Sequence, residues 1–117
     1  NARVAPYGRA AREVLERLDL WRQVEKKVVS GENISQTYQF VSTGNADMGF
    51  IALSQVIKDG RINRGKGWVV PQSYHAPIRQ DAVLLKSGEN NPAALALMDF
   101  LKSDKALALI RDYGYRL

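Results

Sequence analysis

The sequence predicts an α/β fold, a mixed sheet flanked by helices. Three observations carry that expectation. Helical and strand-like stretches alternate along the chain. Residues 47–53, DMGFIAL, form a nearly continuous apolar run, which suits a strand buried on both faces. Asn91-Pro92 pairs a capping residue with a first-turn proline and opens the first of two closing helices.

Taken in order, the stretch from Pro6 to Leu18 reads as a helix. Pro6 suits a first-turn position, where its missing N–H does no harm. Ala11, Val14, Leu15 and Leu18 recur at helical spacing. Leu20, Trp21 and Val24 continue into a second short helical piece, and Lys26-Lys27 complement its negative C-terminal pole. Val28-Val29 is a strand candidate. Asn33 is placed to cap a helix carrying Ile34, Thr37, Tyr38 and Val41, which stops at Thr43-Gly44. After the run at 47–53, Ser54 is a candidate cap for a short helix from Gln55 to Lys58. Residues 58–66, with their glycines, read as a solvated loop. Gly67 to Val70 and Ile78 to Lys86 read as strands. Helices follow over Pro92 to Leu101 and from an Asp104 cap to Tyr113-Gly114. A helix heads this order with no strand before it, which predicts further sequence upstream of Asn1.

Composition narrows the function classes. The 117 residues contain 17 Lys+Arg, 12 Asp+Glu and no Cys, with 45% hydrophobic content. That balance excludes disorder. Zero Cys excludes a disulfide framework, a thiolate metal site and a Cys nucleophile. No run approaches the roughly 20 apolar residues of a membrane span. The net charge of +5 is spread along the chain, and only 58–66 is densely basic.

Enzyme signatures are absent: the sequence holds no GxSxG, HExxH, Walker A or GxGxxG. His75 is the one histidine and reads as a loop side chain. Glu13 and Glu16, among Arg9, Arg12 and Arg17, read as a charge-laced helix face rather than paired catalytic carboxylates. The aromatics do not interleave with a basic stripe, so nucleic acid is not an expected partner.

Two helix starts offer a different chemistry. APYGRAA (residues 5–11) and GENISQ (31–36) place turn and capping residues ahead of helices. A helix N-terminus presents unpaired N–H groups and a positive partial charge, so it takes anions without Lys or Arg. Gly8 removes a side chain that would hold an anion away. The same residues also suit helices that are simply well capped.

APYGRAAREVLERLDLW, GENISQTYQFVSTGNADMGFIALSQ, PIRQDAVLLKSGENNPAALALMDFLKS and the terminal YGY together resemble the molybdate-binding periplasmic proteins of ABC-type molybdate importers. The resemblance spans nearly the whole chain and falls on the second half of that family. It implies a type II periplasmic-binding-protein fold: residues 1–80 would form most of the second lobe, and 81–117 the return strand and C-terminal helices of the first. It implies a periplasmic, non-enzymatic protein without a cofactor. Its ligand would be molybdate or tungstate, held in an interlobe cleft, with the metal reached only as the oxyanion. Its partners would be the membrane permease and the missing N-terminal lobe of the same protein.

Carried over residue by residue, the family's ligand positions fall on Tyr7 and Ile34, each through its backbone N–H. Gly8, Asn33 and Ser35 stand as a second tier that shapes the two termini. Where some members carry a ligating tyrosine, this sequence has Ala52, and the Tyr7 hydroxyl is a candidate replacement. Two other readings stay open: the effector-sensing domain of a transcription regulator with the same fold, and a basic nucleic-acid-binding module.

Overall fold

The computed structural model describes residues 5–117. They divide into two compact units. The first comprises residues up to Gln55 together with Gly67–Ile78, and the second Val56–Lys66 together with Arg79–Leu117.

In the first unit, α1 spans Pro6–Arg17, with Pro6 at its start as expected. Ala10 and Val14, one turn apart, are its buried residues, and Val14 is 1% exposed. The expected apolar stripe is thus displaced toward Ala10, while Leu18 lies in the open. The helix ends because Asp19 turns into the left-handed region at φ 57, and the Leu20 amide bonds back to Leu15 O at 2.8 Å. Helix α2, Trp21–Val24, runs into a 3₁₀ turn at Glu25–Lys27.

Helix α3, Ile34–Ser42, is capped as expected: Asn33 Oδ1 accepts the Gln36 amide at 2.9 Å. Gln36 Oε1 accepts the amide of Glu32, the residue before the cap, at 2.6 Å, a one-residue-shifted relative of the reciprocal capping box. Gly44, at φ 75, closes the helix with its amide on Val41 O. Segment 47–52 then lies across α3, so close that a Cβ on Gly49 would stand 2.6 Å from Val41 Cγ2.

In the second unit, Ile57–Lys58 (β1) and Arg61–Ile62 (β2) form an antiparallel hairpin. This corrects the reading of Gln55 to Lys58 as a helix and of 58–66 as loop. Asp59 and Gly60 both have positive φ (51 and 72), which defines a two-residue type I′ turn. The short helical turn that does form is a 3₁₀ turn one step earlier, at Leu53–Gln55.

Helix α4, Pro92–Phe100, is capped by Asn91 Oδ1, which accepts from Ala93 N at 3.0 Å. Helix α5 spans Asp104–Asp112, and its cap is Ser103 rather than Asp104: Ser103 Oγ accepts the Ala106 amide at 3.3 Å. Asp104 instead occupies the first turn, where its charge complements the helix dipole. No described helix is long and apolar enough to cross a membrane.

The hydrogen-bonded sheet is smaller than the sequence leads one to expect. Among the described residues the β1–β2 hairpin is the whole of the hydrogen-bonded sheet. The expected strands at 28–29, 47–53, 67–70 and 78–86 join no ladder. A strand is defined by a neighbour in register. Apolar, β-branched composition favours extended backbone but does not supply that neighbour. Met48, Val29, Val69 and Val83 accordingly stay exposed.

Candidate functional site

The residues singled out at the helix starts all lie in the first unit. Tyr7 and Gly8 are the second and third residues of α1, both half-buried. The N-cap position is Ala5, which has no side-chain acceptor to offer, and Pro6 has no N–H. The first turn contains no acidic residue.

At the second start, Asn33, Ile34 and Ser35 are consecutive, with Ile34 the first residue of α3. The donors there can be accounted for one by one. Gln36 N–H goes to the Asn33 side chain and Thr37 N–H to Asn33 O at 3.2 Å. The amides of Ile34 and Ser35 find no acceptor among the described residues. The first turn of α3 also lacks an acidic residue. Two free N–H groups at the positive end of a helix dipole form an anion-attracting surface. Asn33 thus contributes as a cap that leaves its neighbours' amides open.

Sequence reasoning passed over two residues that set this terminus. Gly31 lies against the first turn of α3, where a Cβ would stand 2.7 Å from Thr37 Oγ1 and 2.9 Å from Thr37 N. Gln55 bridges two segments: its Oε1 accepts the Ala52 amide at 3.0 Å and its Nε2 donates to Ile34 O at 3.4 Å. Gln55 therefore ties Ala52, itself buried, to the first residue of α3. No local pattern announces a contact across 21 residues. The glycine was visible, but its turn-like neighbours explained it equally well.

The carboxylate pair on α1 behaves as a charged face. Glu16 Oε1 accepts from Arg12 Nε at 2.7 Å, Glu13 stands 3.8 Å from Arg9, and the Arg12 guanidinium lies 4.7 Å over Trp21. An open groove of about 230 Å³ is lined by Glu16, Asp19, Trp21 and Arg22, toward the far end of α1 from Tyr7. Two carboxylates line it, which is the wrong sign for an oxyanion. His75 Nδ1 donates to the neighbouring Ala76 O at 2.7 Å, a local bond. No group of three or more metal-ligating side chains occurs among the described residues.

The chain belongs to a family described as bacterial extracellular solute-binding proteins, whose model matches residues 1–116. It is 54% identical over all 117 residues to a protein named molybdate-binding protein ModA in Azotobacter vinelandii, covering 46% of that protein. It is also 54% identical over 112 residues to the protein of the same name in Rhodobacter capsulatus, covering 43% of it. The fold superimposes on a solved periplasmic molybdate-binding protein of Azotobacter vinelandii with a TM-score of 0.90 and 36% identity, across the whole of this chain and 52% of that one. The fold is therefore that of a type II periplasmic binding protein. The backbone follows this path even where its strands lack ladder partners. The chain spans about half the length of the relatives it matches. Those relatives are solute-binding proteins rather than enzymes.

Proposed function

We propose that the protein is the periplasmic solute-binding component of an ABC importer for molybdate or tungstate. Backbone amides at the starts of α1 and α3, centred on Tyr7 and Ile34, hold the oxyanion, and the Tyr7 hydroxyl adds a donor. Gly8 leaves room for the anion at the start of α1, and Ser35 shapes the start of α3. In this reading residues 1–80 are second-lobe and 81–117 return to the first lobe. The remaining donors come from the N-terminal half of the polypeptide, and the loaded protein delivers its cargo to a membrane permease.

The observation that carries the reading is the pair of open amides at Ile34 and Ser35, in a chain 54% identical to molybdate-binding proteins. Each hydrogen bond to a charged group contributes on the order of 1.5–3 kcal/mol, so several together offset the cost of stripping water from a dianion. Neutral donors hold the anion without a competing counter-charge. A rigid shell also selects by radius, because a smaller sulfate cannot reach every donor at once.

Thermal unfolding of the intact protein tests the proposal. A ligand that binds only the folded state stabilises it, by about 2.7 kcal/mol at a hundredfold excess over Kd. The midpoint therefore rises with molybdate or tungstate and stays fixed with sulfate. A midpoint that does not move across millimolar molybdate overturns the reading.

A further inference from the structure

The densely basic stretch of this chain falls on a small, well-defined element. Residues 56–66 hold four cations, Lys58, Arg61, Arg64 and Lys66, against the single acid Asp59. Lys58 and Arg61 are direct cross-strand partners on either side of the Asp59-Gly60 turn. Opposed residues of a ladder share one face, with Cβ atoms roughly 4.5–5.5 Å apart. Type I′ geometry, with positive φ at both turn residues, matches the natural strand twist and holds the pair in place. Like charges directly opposed repel one another. Neither Lys58 nor Arg61 has an ion-pair partner among the described residues, and both are exposed.

We propose that the β1–β2 hairpin is a docking surface for an acidic protein segment whose neighbouring carboxylates bridge Lys58 and Arg61. A carboxylate accepts the forked donors of an arginine and the ammonium beside it, which relieves their repulsion. The surroundings favour a protein over other polyanions. Ile57 and Ile62 pair with each other and are half-buried, so no apolar side chain at the turn is offered to a lipid interface. Residues 56–66 contain no aromatic on which a nucleobase could stack.

The test measures binding of the intact protein to an immobilised octa-glutamate peptide. Lys58→Glu/Arg61→Glu is compared with Lys26→Glu/Lys27→Glu, an equal charge change on the 3₁₀ turn after α2. The hairpin variant is expected to lose affinity roughly tenfold at low salt and the control less than about twofold, with the gap closing at high salt. Equal losses in the two variants overturn the proposal, because overall charge then explains the binding. So does a hairpin variant that keeps its peptide affinity but no longer binds vesicles containing about 30% anionic lipid, which assigns the surface to membrane. Lys58→Gln/Arg61→Gln, gentler on the fold, is expected to lose affinity in the same direction by a smaller factor; unchanged affinity in both hairpin variants is a negative result.

Discussion

Glu13 Oε2 accepts the backbone amide of Ala76 at 2.7 Å, a bond that spans 63 residues of sequence. It fastens the middle of α1 to the segment beyond the 3₁₀ turn at Gln72–Tyr74. Around it, the Arg17 guanidinium lies 5.2 Å from the centre of the Tyr74 ring, and Trp68 meets Tyr74 edge-on at 5.7 Å. One face of α1 thus holds the returning chain by a charge-assisted hydrogen bond and a cation–π contact.

Substituting Glu13→Gln keeps the acceptor oxygen but removes its charge. A full charge-assisted bond is worth about 1.5–3 kcal/mol, and partial solvent access at Glu13, whose side chain is 32% exposed, reduces that. The expected loss of stability is about 0.5–1 kcal/mol, read from the urea midpoint. Glu13→Leu, which removes the acceptor, is expected to cost more. A Leu variant as stable as wild type would show that the bond contributes nothing.

Gly31→Ala tests how tightly the start of α3 is packed. The new methyl would meet a backbone nitrogen at 2.9 Å, and backbone cannot rotate away as a side chain can. The expected cost is about 1–3 kcal/mol, typical of overpacking. Because the strain falls on Thr37, one turn from the open amides, molybdate affinity is expected to fall with it. Stability measured in urea and affinity measured by calorimetry should therefore move together.

The contrast between these two contacts explains what the sequence reveals. The caps at Asn33 and Asn91 were legible because cap chemistry acts within three residues. Pro6 and Gly44 mark helix boundaries for equally local reasons. Asp59-Gly60 carries a hairpin signal too, but Lys58 and Arg61 beside it look like loop charges rather than alternating strand residues. The anion-attracting start of α3 follows from the Asn33 cap, whereas Ile34 as a ligand position rests on the family resemblance. Glu13 with Ala76 and Gln55 with Ile34 are non-local pairings that leave no periodic trace. The extent of the sheet was unreadable for the same reason: each extended segment is locally legible, whereas its ladder partner is not.

Tyr7→Phe separates the side chain from the backbone at the first proposed donor. The variant keeps the amide and the ring, so the main-chain donor is the same in both proteins. Loss of one hydroxyl donor to a dianion is expected to weaken molybdate binding roughly tenfold. Equal calorimetric affinities for the two proteins would confine the contribution of Tyr7 to its main chain.

The 117-residue chain taken alone is expected to bind molybdate far more weakly than the intact protein. Met48 is 86% and Val83 79% exposed, and Val29, Leu85 and Val69 are also open. Exposed apolar side chains on extended, unpaired backbone invite a covering strand. The relatives are about twice as long, and the proposal draws the remaining donors from that other half. Each absent donor removes a charge-assisted bond, and two or three together remove several kcal/mol, or about a thousandfold in Kd. Calorimetry on the isolated chain should show no saturable heat at micromolar molybdate. Adding the separately expressed N-terminal half should restore binding and protect the amides of residues 47–52 and 67–70 from hydrogen exchange. Tight binding by the isolated chain would mean that the donor shell is already complete within these residues.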